Sequence, residues 1–210
     1  YQGTFSFDDA HNHQIQNYLF MIDGLYKETW EQDTFEIVHL LRDKNKTFLD
    51  IGCGPGGMVE LAEQYGMTAL GIDGDHTVKR HNKDSFLIHD FTKGPANLPD
   101  RVYDIGWCVE FVEHVHAEYI PNYMEAFKKC KAIVMTYAPP NTPGHHHVNC
   151  QDEKYWKKIM KKYGFRYDGN YTRELRIVST MGTKMNRMPP TKKQHRFVKN
   201  TGMYYINGNL

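Results

Sequence analysis

Apolar positions along this chain follow two alternating rhythms. From Thr47 onward, short runs of β-prone residues alternate with stretches whose apolar residues recur every three or four positions. The runs Thr47–Ile51, Thr68–Asp73, Ser85–His89, Tyr103–Val109 and Ala132–Tyr137 read as strands. The stretches Gly57–Tyr65, Thr77–Asn82, Ala117–Cys130 and Asp152–Tyr163 read as helices, with Met58, Leu61 and Ala62 on the buried stripe of the first. This alternation predicts an α/β domain with a parallel sheet and helices on both faces. Ligands of such sheets bind beyond the carboxyl ends of the strands. Upstream, Ile15, Tyr18, Leu19, Ile22 and Leu25, then Phe35, Ile37, Val38, Leu40 and Leu41, predict two helices. Residues 1–46 are therefore set apart from a main domain at 47–210. Downstream, Phe165–Tyr167 reads as a strand and Thr172–Met181 as a helix. Residues 182–196, with Lys184, Arg187, Lys192, Lys193 and Arg196, read as a basic loop, and Phe197-Val198 with Met203–Ile206 as a closing strand or hairpin.

The sharpest change of rhythm is at Phe48-Leu49-Asp50-Ile51-Gly52-Cys53-Gly54-Pro55-Gly56-Gly57. A buried strand breaks into a glycine-dense bend and becomes a helix at once. Glycine takes positive φ freely and lets a ligand lie against the main chain. The amides opening the helix then face that ligand. There is no Gly-Lys-Ser or Gly-Lys-Thr ending, which excludes a phosphate loop, and the spacing is not G-x-G-x-x-G. Instead Asp50 precedes the bend and Asp73 ends the next strand. A carboxylate at that second tip suits a ribose diol, because it accepts from both hydroxyls. Two acids without a phosphate-binding lysine point to a cationic nucleoside.

L-D-I-G-C-G-P-G-G, then G-I-D-G-D, then H-D-F, resembles the class I S-adenosylmethionine-dependent methyltransferases over roughly residues 45–170. The resemblance implies a Rossmann-like, mostly parallel seven-stranded sheet with an antiparallel last strand. It implies S-adenosylmethionine as cofactor, with residues 1–46 as a helical cap over the pocket. It also implies roles for residues at the motif positions. Gly52, Cys53, Gly54 and Gly56 would line the methionine portion, and Asp50 would orient its amino group. Asp73 and Gly74 would meet the ribose, Asp90 the adenine amino group and Phe91 the ring. Glu110 would lie beside the donor, in a stretch Glu110-x-x-Glu113-His114-Val115 that resembles many small-molecule methyltransferases.

After the fifth strand, Tyr137–Asn149 holds Pro139, Pro140, Pro143 and Gly144, then His145, His146 and His147. Proline and glycine make this a shaped loop on the ligand side of the sheet. Three readings stay open for the histidines, which with Glu110 and His114 form the candidate catalytic set. One is proton transfer or substrate binding. A second is a divalent metal held by ligands drawn from Glu110, His114, His145 and His147. The third is packing against the following helix. His11 and His13 form a further His-x-His pair near the start.

Composition narrows the partners. The chain has 210 residues, 40% hydrophobic and 24% charged, with a formal charge of +1, so no global basic field advertises nucleic acid. A small-molecule acceptor with a hydroxyl, such as a sugar, is the leading expectation. Nucleic acid is the alternative, resting on the basic stretch with Tyr204 and Tyr205 nearby. No run reaches the roughly 20 apolar residues of a membrane span. Four cysteines, Cys53, Cys108, Cys130 and Cys150, form no C-x-x-C pair, so a reducing, cytoplasmic setting is expected. The first residue is Tyr1 and not Met, which leaves open a removed leading segment.

Overall fold

The computed structural model describes residues 46–179 and 197–210. The expected helical cap at 1–46, the His11–His13 pair and the basic loop at 182–196 lie outside the described residues, except Lys46. β1 (Thr47–Ile51) lies inside the sheet, between β2 (Thr68–Asp73) and β4 (Tyr103–Cys108). Phe48, Leu49, Asp50 and Ile51 are all buried, as expected of a parallel strand covered on both faces. β3 (Phe86–Ile88) lies outside β2, and β5 (Cys130–Met135) beside β4. β6 (Phe165–Tyr167) and β7 (Met203–Asn207) complete seven strands in the order β3-β2-β1-β4-β5-β7-β6. β7 is antiparallel to both of its neighbours, and the other pairings are parallel.

Side chains alternate across each strand, and the helices divide accordingly. Leu49, Ile51, Ile133 and Met135 pack with α2 (Ile120–Lys128) and α3 (Glu153–Lys162) through Tyr123, Met124, Phe127, Trp156 and Met160. The opposite face takes α1 (Gly57–Gln64) against Phe48 and Ile105. It also takes α4 (Gly169–Val178) and α5 (Phe197–Thr201), which set Leu175 and Val198 against Ala132, Val134 and Tyr204. Each large apolar side chain so buried contributes about 1.5–3 kcal/mol. Helix starts are chemically marked. The Asp152 carboxylate accepts from the Tyr155 amide, and that of Asp168 from the Asn170 and Tyr171 amides.

Two expected elements shift at their ends, β5 running Cys130–Met135 and not Ala132–Tyr137, and α4 beginning at Gly169 and not Thr172, while three differ in kind or continuity. Thr77–Asn82 is not helical. Asp75 accepts from the Thr77 amide and hydroxyl, and Arg80 donates Nη1–H to the Asp75 carbonyl, so side chains replace the helical bonds. Phe197-Val198 opens a helix and not a strand, closed where the Gly202 amide donates to the Val198 carbonyl. The long helix expected at Ala117–Cys130 is a 3-10 turn at Ala117–Tyr119 followed by α2, which Pro121 opens, and Cys130 already belongs to β5. Among the described residues no helix is long and apolar enough to cross a membrane.

Candidate functional site

Every candidate position falls at the carboxyl end of β1, β2, β3, β4 or β5. The bend after β1 is held by main chain: the Gly52 and Cys53 amides both donate to the Ile72 carbonyl at 2.9 and 3.1 Å. Gly52, Gly54 and Gly56 have φ of 79°, 50° and 91°, the left-handed region that favours glycine. A Cβ on Gly52 would collide with the Phe111 ring, and one on Gly56 with the Phe86 ring. A Cβ on Gly54 would meet none of the described residues. Gly56 caps α1 without a side-chain hydrogen bond, so among the described residues no capping side chain takes the first-turn amides.

Asp73 ties the bend to β2. One carboxylate oxygen accepts from the Gly54 amide and the other from the Asp75 amide, both at 2.8 Å. Arg80, which sequence reasoning missed, folds back over the bend. Its Nε–H donates to the Gly54 carbonyl at 2.9 Å, and Nη2 lies 3.6 Å from Asp73. A lone arginine in a loop carries no periodic signal that would have revealed this. Asp50 is 3% exposed, and burial, reinforced by the Asp73 charge, pushes its carboxyl well above the ordinary range. Burial likewise raises the Cys53 thiol. Gly74 lies against the His89 carbonyl, joining the β2 and β3 tips. Asp90 is exposed and accepts from the Thr92 amide, which holds its carboxyl below the usual value. Phe91 is 5% exposed and packs edge-on with His89, Phe111 and Tyr123.

A second cluster stands beside this bend, at the ends of β4 and β5. Glu110 has φ of 55°. Its amide donates to the Thr136 hydroxyl at 2.9 Å, and that hydroxyl donates to its carboxylate at 3.2 Å. Burial, and then the neighbouring Glu113 charge, raise the Glu110 carboxyl to about 8. The next residue, Phe111, is the one that lies on Gly52, so the two regions meet in space through it. Glu113 is fully buried, and among the described residues neither of its carboxyl oxygens has a hydrogen-bond partner in good geometry, although the neighbouring Glu110 carboxyl interacts with it and burial raises it above the ordinary range. Its own carbonyl accepts from the Val148 and Asn149 amides, which fastens the histidine loop to it.

The three adjacent histidines diverge. His146 has φ of 54°, and this left-handed residue turns the chain so that His145 and His146 are exposed while His147 is half-buried. His147 meets His114 edge-on, with ring centroids 5.0 Å apart. One donor atom from each of Glu113, His114 and His147 lies within 4.8 Å of the others. Of the four residues expected as metal ligands, the structure brings His114 and His147 into this group. Glu110 lies alongside, and the exposed His145 is outside it. Glu113 takes the carboxylate place. Its signal was present, since it directly precedes His114, but only the buried turn shows that it faces inward.

An uncapped helix after a glycine bend, on a sheet of this order, with acids on neighbouring strand tips, defines a nucleoside-binding α/β domain. A methyltransferase-domain family model matches residues 26–168, more than half of the chain, and the chain belongs to that family. It carries the S-adenosylmethionine-dependent methyltransferase domain. It is 28% identical over 101 residues to the ubiquinone biosynthesis O-methyltransferase of Actinobacillus pleuropneumoniae serotype 5b, covering 42% of this chain and 41% of that protein. It is 31% identical over 134 residues to norajmaline N-methyltransferase of Rauvolfia serpentina, covering 55% and 44%. The match thus spans less than half the length of these curated relatives. The fold is similar to that of magnesium protoporphyrin IX methyltransferase from Synechocystis PCC 6803 with bound SAH, with a TM-score of 0.56 and 14% identity over 99% and 90% of the two chains.

Proposed function

We propose that this protein moves the sulfonium methyl of S-adenosylmethionine onto a hydroxyl of a small, hydroxylated acceptor. The carrying observation is the adjacency of two unlike surfaces at one edge of the sheet. One is bare main chain with Asp73 and Asp50. The other is the carboxyl and imidazole group of Glu110, Glu113, His114 and His147. The first suits the donor, with Gly52, Gly54 and Gly56 under the methionine portion and Asp73 accepting from the ribose. Asp90, just past β3, would meet the adenine amino group. The second suits an acceptor that must give up a proton.

In the transfer, an oxygen lone pair forms the O–C bond while the C–S bond breaks, and its electron pair stays on sulfur. The sulfonium becomes a neutral thioether, and the hydroxyl proton passes to Glu110 in its ionised form, which burial makes a stronger base than an ordinary carboxylate and which fills as pH rises toward about 8. Holding oxygen and methyl in line supplies much of the rate. The match to an O-methyltransferase supports oxygen as the receiving atom. The four free cysteines suit a reducing, cytoplasmic setting.

Calorimetry with S-adenosylhomocysteine, then transfer of labelled methyl to a panel of sugars, phenols and RNA oligonucleotides, tests this reading. Binding followed by methylation of a hydroxylated small molecule is the expected result. No binding would overturn the cofactor assignment, and methylation of RNA alone would overturn the acceptor class.

A further inference from the structure

One electron-pair donor from each of Glu113, His114 and His147 lies within 4.8 Å of the others. The His114 Nδ1 lies 3.2 Å from the His146 carbonyl, and the His147 Nδ1 lies 3.1 Å from the Thr142 carbonyl. A carbonyl oxygen only accepts, so each Nδ1 carries the proton and each Nε2 keeps its lone pair. This is the way metal-binding imidazoles are held, with the other nitrogen fixed on a main-chain oxygen. The Glu113 carboxyl beside them is fully buried, and among the described residues neither oxygen has a hydrogen-bond partner in good geometry; the neighbouring Glu110 carboxyl is close enough to interact with it. Desolvating such a group without compensation costs several kcal/mol, and a cation is the compensation that also satisfies two lone-pair imidazoles.

We propose that Glu113, His114 and His147 form a site for one divalent first-row transition ion, of the Zn²⁺, Mn²⁺ or Co²⁺ type. Two imidazoles with one carboxylate disfavour Mg²⁺ and Ca²⁺, which prefer oxygen ligands throughout. The donor atoms lie within 4.8 Å of one another, near the spacing of ligands that share one ion through the roughly 2.0–2.2 Å bonds of a zinc-like metal. The loop supports this arrangement. His147 is buttressed by Cys150, whose Sγ lies 3.6 Å from Nδ1, and a Cβ on Gly144 would collide with the His147 ring. Three protein ligands leave a coordination position open. Resting on the methyl-transfer reading above, that position takes the acceptor's hydroxyl oxygen and makes its proton easier to lose.

The test uses the full chain, stripped with a chelator and titrated with Co²⁺ while its visible absorption is followed, then with Zn²⁺ by calorimetry. One equivalent is expected, with a spectrum of nitrogen and oxygen ligation and without thiolate charge transfer. His147→Ala, His114→Ala and Glu113→Gln should each weaken binding at least tenfold. Circular dichroism and S-adenosylhomocysteine affinity check that the variants are folded. Stoichiometric binding lost in the folded variants supports the site. Failure of the parent to bind either ion, or equal binding by all three variants, as from His11 and His13, overturns it. S-adenosylhomocysteine titration of the stripped parent reports separately on the methyltransferase reading.

Discussion

The two surfaces that meet beside Phe111 are built in opposite ways. The bend after β1 is contiguous main chain, and its shape is dictated by glycine conformations and amide bonds to Ile72. The cluster after β4 and β5 is made of side chains from two separate segments, 110–114 and 136–150, joined where the Glu113 carbonyl accepts from Val148 and Asn149. In the first, site and fold are the same atoms, so damage to one damages the other. In the second, a backbone scaffold carries groups that can be changed one at a time. The first should therefore fail as structure and the second as chemistry.

The strongest way to break this contrast is at Gly52. Gly52→Ala places a Cβ at φ of 79° and against the Phe111 ring. Left-handed strain of about 1–2 kcal/mol and overpacking of about 1–3 kcal/mol add up, to a loss of roughly 2–5 kcal/mol in denaturant unfolding. Cofactor binding should vanish with it. Gly54→Ala sharpens the point. Its Cβ meets none of the described residues, so only the strain term, about 1 kcal/mol, should appear. A Gly52→Ala protein as stable as the parent would show that the bend is not the rigid element described.

Asp73 comes next. Asp73→Asn keeps the size but removes the charge that holds the Gly54 and Asp75 amides and faces Arg80. Charge-assisted bonds are worth about 1.5–3 kcal/mol, so affinity for S-adenosylhomocysteine should fall roughly 10- to 100-fold by calorimetry. Unchanged affinity would remove Asp73 from the donor site.

Glu113 should show the opposite behaviour. In chelator-stripped protein, Glu113→Gln removes a buried carboxyl with no hydrogen-bond partner in good geometry among the described residues. Stability should rise by about 1–2 kcal/mol, read as a higher denaturant midpoint, while methyl transfer falls. Groups kept for chemistry at the expense of stability behave this way. A loss of stability would make Glu113 a structural residue.

How far each region could be read from sequence follows from the same contrast. Local signals sufficed for the bend: a strand pattern, dense glycine, and an acid at each of two strand tips. They also sufficed for the existence and order of the parallel core strands, although β5 runs Cys130–Met135 and not Ala132–Tyr137. They failed where partners decide. Thr77–Asn82 has a helical spacing, but Asp75 and Arg80 take its main-chain bonds. Phe197-Val198 is β-prone, yet Val198 is buried on α4 and β7 as part of a short helix. Among His145, His146 and His147, the inward residue is chosen by one left-handed backbone angle at His146, which no residue type there announces. Glu113 was passed over because its depth is a property of the assembled turn.

The amino ends of the strands provide the control for all of this. There Asp104 clips three strands together: it accepts from the Thr47 amide and hydroxyl on β1, and from Lys131 on β5 at 2.8 Å. Burial acts to raise its carboxyl, but the bonds from Lys131 and Thr47 outweigh burial and hold it below the ordinary value. A depressed carboxylate stabilises the fold at pH above its unfolded value, about 3.9, and that contribution is lost as pH falls through the lower folded value. Asp104→Asn keeps an oxygen for Thr47 but loses the charge. Because Lys131 is well exposed, the cost should be small, about 1 kcal/mol at neutral pH. Parent and variant stabilities should converge in acid below the folded value, and S-adenosylhomocysteine affinity should be unchanged throughout. A change in that affinity would mean that the far ends of the strands are energetically coupled. The division between a supporting amino edge and a working carboxyl edge would then fail.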